Sequence, residues 1–119
     1  MQVEEFLEKV VENTVLDNYY ISENGDSGYV IELEYWSSLG EDCIIPLVIK
    51  ELTITEVVEE MRRYESYFDA EEHATELFNL HGAGGTPTSM RALLEDADEQ
   101  AKNISDISNV IYKLCNSKK

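Results

Sequence analysis

"YYISENGDSGYVIELEYW", residues 19–36, decides how the chain folds. Two runs rich in tyrosine, isoleucine and valine flank ENGDSG, a dense cluster of turn-forming residues. That pattern predicts a β-hairpin with strands at Tyr19–Ser22 and Tyr29–Trp36. In the second run Tyr29, Ile31, Leu33 and Tyr35 alternate with Val30, Glu32, Glu34 and Trp36. Successive strand side chains point to opposite faces, so the first set is expected in the core, leaving Glu32 and Glu34 in water.

Beyond the hairpin, "SSLGED" makes a second turn. "CIIPLVIKEL", residues 43–52, then reads as a third strand. Pro46 lacks a backbone N–H and places this strand at an edge or a bulge. Before the hairpin, residues 2–13 carry Val3, Phe6, Leu7, Val10 and Val11 at helical spacing, with Glu4, Glu5, Glu8 and Glu12 opposite. After the third strand the pattern is helical. Thr53 and Glu56 form a capping-box pattern opening a helix to about Tyr67. Asp69 and Glu72 repeat the device and open a short helix to about Leu80. Thr86 and Pro87 fit the N-cap and first position of a last helix. Its apolar stripe runs through Met90, Leu93, Leu94, Ala97, Ala101, Ile104, Ile107, Ile111 and Leu114. The expected fold is α+β in a single domain spanning residues 1–119. An N-terminal helix and a three-stranded antiparallel meander are followed by three helices packed on one sheet face.

The chain has 119 residues, 43% of them hydrophobic, so it can bury a core. No apolar run approaches the ~18 residues of a membrane span. The acidic, amphipathic start is unlike a signal peptide, so a cytoplasmic location is expected. Cys43 and Cys115 lie far apart, form no CxxC, and are expected as free thiols. Charge is the strongest compositional feature: 25 acids against 9 bases leave a net charge of −16. The excess lies entirely in residues 1–81, because residues 82–119 are neutral. Direct binding to nucleic acid or to an anionic membrane is therefore disfavoured, and a basic partner is favoured.

"HGAGGTPTSM", residues 81–90, invites comparison with phosphate-binding glycine loops. A P-loop needs a lysine and then Ser or Thr after its glycines. Here Gly82, Gly84 and Gly85 lead to Thr86 and Pro87, and Arg91 is the nearest base. No strand precedes the loop, so a dinucleotide fingerprint fails as well. The glycines read instead as a helix C-cap and a hinge. His73 and His81 are the only histidines, and one imidazole among scattered carboxylates such as Glu72 and Glu76 does not predict a metal site. Neither cysteine has a recognisable histidine partner, and GxSxG does not occur. No catalytic residue, cofactor or metal is expected.

What remains is the acidic surface. Glu56, Glu59, Glu60 and Glu65 lie on the middle helix, and Asp69, Glu71, Glu72 and Glu76 on or beside the next. Carboxylates three or four residues apart on a helix are ~5–6 Å apart. That spacing is of the same order as phosphates along a nucleic-acid strand. With Glu32 and Glu34 on the second strand, Glu56, Glu59, Glu60, Glu65, Asp69, Glu72 and Glu76 form the expected partner-binding set. Part of it has local work, since Glu56, Asp69, Glu71 and Glu72 stand at helix N-termini. Trp36, Tyr64 and Phe68 are the anchors expected if the contact is instead apolar.

"YFDAEEHATELF" and "GTPTSMRALLEDADEQAKNISDI" resemble a block found in small acidic proteins of Firmicutes phages and mobile elements, over about residues 64–110. Some proteins of that kind are anti-CRISPR or antirestriction factors, several of them DNA mimics. The resemblance points toward conflict between host and mobile element, and with the acidic surface the leading expectation is a non-enzymatic, acidic protein-binding inhibitor acting on the basic nucleic-acid channel of a partner such as a CRISPR nuclease or restriction enzyme. Two other readings accommodate the same composition. One is an immunity or antitoxin-type inhibitor of a basic toxin. The other is a structural adaptor whose charge serves solubility.

Overall fold

A computed structural model describes residues 2–37, 40, 42–82 and 90–116, with the backbone alone for 77, 78, 80–82 and 90. The order is α1 (Val3–Glu12), β1 (Asn18–Glu23), β2 (Tyr29–Trp36), β3 (Asp42–Ile49), α2 (Ile54–Tyr67), α3 (Ala70–Gly82) and α4 (Met90–Asn116). The fold is α+β as the patterning predicts. The glycine-rich segment 83–89, with Gly84, Gly85 and the Thr86–Pro87 helix start, lies outside the described residues.

The three strands form an antiparallel meander in the order β1-β2-β3. Pro46 therefore stands on an edge strand, paired with Glu32. The hairpin turns at Gly25 and Gly28, both with positive φ. Gly28 is doubly constrained: a Cβ there would overlap the Ile49 carbonyl oxygen and approach the Lys50 Cα to 2.8 Å.

Alternation sets the two sheet faces. Ile31, Leu33 and Tyr35 of β2 and Ile45, Leu47 and Ile49 of β3 are buried, while Tyr29 is only half-buried. Against this face pack Val3, Phe6, Leu7 and Val10 of α1, Val57 and Met61 of α2, and Ile104, Ile107 and Ile111 of α4. Val11 is half-buried at the margin of this core.

Helix α4 has 27 residues, about 40 Å at 1.5 Å per residue, in a molecule 50 Å long. Its second half covers the sheet. Its first half carries α3 through a separate small core of Ala74, Leu93 and Ala97. Thus α3 joins the helical layer by way of α4.

Strand β3 ends at Ile49, three residues before the expected Leu52, because Glu56 seizes the chain there. Its carboxylate accepts from the backbone N–H of Lys50 at 3.1 Å and of Glu51 at 2.6 Å. The Thr53 hydroxyl oxygen accepts from the Glu56 N–H at 3.2 Å, which is one half of the expected capping box. The return half is absent, since the Thr53 N–H donates to the Glu51 carbonyl.

Candidate functional site

The predicted acidic set falls into separate groups. On the outer sheet face, Glu32 and Glu34 project away from the core, as alternation requires, and both are half-buried. Register adds a residue that sequence reading missed. Glu34 pairs with Ile44 and Trp36 with Asp42, so Glu34 and Asp42 are diagonal neighbours on that face. The Tyr20 hydroxyl donates to Glu34 Oε1 at 3.2 Å. The Glu34 carboxyl is held above its ordinary range, first by a hydrogen bond with Asp42 and then by partial burial, with the Tyr20 hydroxyl opposing. The Tyr20 phenol is raised in turn, chiefly by the same bond to Glu34. A neighbouring carboxyl group makes the charged form of Glu34 less favourable.

Around these acids the outer face is apolar. Tyr20, Trp36, Ile44 and Val48 are exposed there. The signal for Asp42 was available, since it lies in phase with Ile44 and Val48 once the strand is started one residue earlier.

On α2 the acids diverge. Glu56 is committed to the β3–α2 connection. Glu60 pairs with Arg63 at 3.7 Å. Glu59 is exposed. Glu65, five residues beyond Glu60, lies about 140° further round the helix and so on its other flank. Among the described residues, no hydrogen bond or ion pair joins Glu59, Glu60 or Glu65 to the sheet-face acids.

The α2–α3 elbow gathers the last group. Phe68 is extended, and its N–H donates to the Tyr64 carbonyl at 3.0 Å to close α2. Asp69 caps α3: its Oδ1 accepts from the N–H groups of Glu71 at 3.0 Å and Glu72 at 3.1 Å. Around this elbow lies a groove of about 260 Å³, lined by Tyr64, Tyr67, Phe68, Glu72, His73 and Glu76, with Asp69 at its edge. Phe68 stands between Tyr64, 6.4 Å away, and His73, 5.4 Å away, between ring centroids. Tyr67 is 79% exposed. Tyr64 and Phe68, expected as apolar anchors, do meet here, whereas Trp36 lies on the outer sheet face.

Behind the groove, a cavity of about 270 Å³ shares Tyr64, Phe68 and His73 and is also lined by Tyr35, Cys43 and Gln100. Asp96 and Gln100 are buried, with Gln100 Nε2 donating to Asp96 Oδ2 at 2.8 Å. Burial, and next the nearby Cys43, raises the phenols of Tyr35 and Tyr64. His73 Nε2 is buried and has no hydrogen-bond partner among the described residues. Sequence spacing concealed that Cys43 and His73 line one cavity.

Cys43 and Cys115 are free thiols, both half-buried. Among the described residues, no group of three or more His, Cys, Asp and Glu side chains is placed to hold a metal ion. No described helix is long and apolar enough to cross a membrane. The side chain of His81 lies outside the described residues. No family model, curated protein or solved structure matches the chain.

Proposed function

We propose that the chain is a non-enzymatic, acidic protein-binding inhibitor. It occupies the basic nucleic-acid channel of a partner such as a CRISPR nuclease or a restriction enzyme, in the manner of a DNA mimic. One observation carries this reading: carboxylates stand exposed on separate elements without an ion pair among the described residues. Glu4, Glu5 and Glu12 on α1, Glu59 on α2, and Glu72 and Glu76 on α3 are exposed. None of these makes an ion pair among the described residues, where Arg63 and Arg91 are taken by Glu60 and Glu95. Surface charge of one sign repels itself, and a basic partner converts that repulsion into attraction.

The test is stoichiometric inhibition of DNA cleavage by such nucleases, with and without competing nucleic acid. The decisive variant replaces Glu4, Glu12, Glu32, Glu34 and Glu59 together by Gln, leaving the elbow and Glu56 intact. It is expected to weaken inhibition at least about 100-fold and to flatten its salt dependence. Glu59→Gln alone is expected to change affinity less than about twofold, because a single exposed charge contributes little. Equal inhibition by parent and variant at low and high salt would sink the proposal. Inhibition that nucleic acid fails to compete away would transfer it to a toxin-inhibitor mode.

A further inference from the structure

We propose that the groove at the α2–α3 elbow receives one arginine side chain of the basic partner, its guanidinium stacked on Tyr67 and its charge met by Glu72 and Glu76. The proposal rests on the inhibitor reading for its biological occupant, but its chemistry stands on the groove.

Tyr67 closes α2 with its ring 79% exposed, more than any other large hydrophobic side chain described. An exposed tyrosine face attracts a cation through its quadrupole, and a flat guanidinium also stacks on it. Glu72 and Glu76 stand four residues apart on α3, so their Cβ atoms are about 5–6 Å apart on one face, and both line the groove, where either carboxylate can accept the fork of donors on arginine. Phe68, packed between Tyr64 and His73, gives the groove an apolar floor. That floor displaces water and strengthens the attraction above it. The volume, about 260 Å³, is below the range for drug-sized ligands and suits a single side chain. The His73 ring, packed on Phe68 with its Nε2 out of reach of solvent, adds to the wall of the groove through its ring face.

The chain does not fill the groove with an arginine of its own. It has three, and all are engaged elsewhere: Arg62 lies over the Tyr112 ring at 4.2 Å, Arg63 pairs with Glu60, and Arg91 with Glu95. The Arg62–Tyr112 contact is the same chemistry used internally.

The experiment titrates the full chain, ¹⁵N-labelled, with a capped tri-arginine peptide and with its lysine and citrulline counterparts, following backbone amide shifts. The arginine peptide is expected to give saturable shifts centred on residues 67–76. Lysine should bind at least about threefold more weakly and citrulline not at all. Tyr67→Ala should weaken the arginine peptide at least about fivefold at unchanged melting temperature. Glu4→Gln with Glu12→Gln on α1 removes the same charge as Glu72→Gln with Glu76→Gln, yet should weaken it less than about twofold. Shifts spread over every acidic face, equal binding of lysine, an inert Tyr67→Ala, or equal losses from the two glutamine pairs would each overturn the assignment. The titration needs no nuclease, so the two proposals fail separately. A groove that binds arginine beside an absent nuclease effect removes only the inhibitor. An unoccupied groove beside salt-sensitive inhibition removes only the groove.

Discussion

Glu56 turns its carboxylate toward its own chain. It accepts from two backbone N–H groups where β3 ends, and neither Lys50 nor Glu51 lies within a regular element that would satisfy them. Hydrogen bonds from N–H to a carboxylate are about twice as strong as neutral ones, and removing the acceptor leaves both donors to water. Glu56→Ala is therefore expected to destabilise the fold by about 1–3 kcal/mol in urea denaturation. Glu59→Ala, one turn on and exposed, should stay within about 0.5 kcal/mol. Similar small losses in both would show that the clasp adds nothing. Glu59 and Glu56 look alike in the sequence, three residues apart on one helix. Only the strand end brought beside α2 separates a structural carboxylate from a surface one.

At the scale of elements, the described contact between α3 and α4 is built around small residues. Ala74 on α3 and Ala97 on α4 are fully buried, with Leu93 beside them. Alanine lets the two helix backbones approach closely, and a larger side chain has nowhere to go. Ala74→Leu is expected to cost about 1–3 kcal/mol through overpacking. Because the described core of α3 is this small cluster against α4, its amides should lose hydrogen-exchange protection first, before those of β2. Uniform loss of protection across α3 and β2 would contradict the separate small core. The elbow groove shares this dependence, since Glu72, His73 and Glu76 keep their positions only while α3 is docked.

Over the whole molecule the charge sets the balance. A net charge of −16 is confined to the first two thirds of the sequence. Folding brings α1, the outer sheet face, α2 and α3 within one 50 × 32 × 22 Å body. At ~0.01 M ionic strength the Debye length of ~30 Å matches those dimensions, and at ~0.5 M it falls well below 10 Å. Self-repulsion is thus felt across the folded molecule at low salt and screened at high salt. The melting temperature is expected to rise steadily as sodium chloride goes from ~0.01 to ~0.5 M. A flat or falling response would mean that the acids are locally compensated, and would weaken the case for an outward field.

The sequence by itself determined the elements and the sheet faces, because these follow from neighbours along the chain. The period-two alternation of Tyr29–Trp36 places Ile31, Leu33 and Tyr35 inward and Glu32 outward. Pro46 foretells an edge strand, and Thr53 and Asp69 mark helix starts through side-chain caps that reach only two or three residues. Tertiary structure decided whatever joins distant residues. Asp42 meets Glu34 through strand register, which pairing across β2 and β3 sets and no local pattern encodes. Tyr64, Phe68 and His73 become one aromatic floor because Phe68 turns the chain between two helices. Cys43 and Gln100 share a cavity with His73 only once β3, α3 and α4 pack together. The acids were legible as a composition. Which of them face a partner depends on which backbone donors and arginines the fold brings within a few ångströms of each, and that is a property of packing.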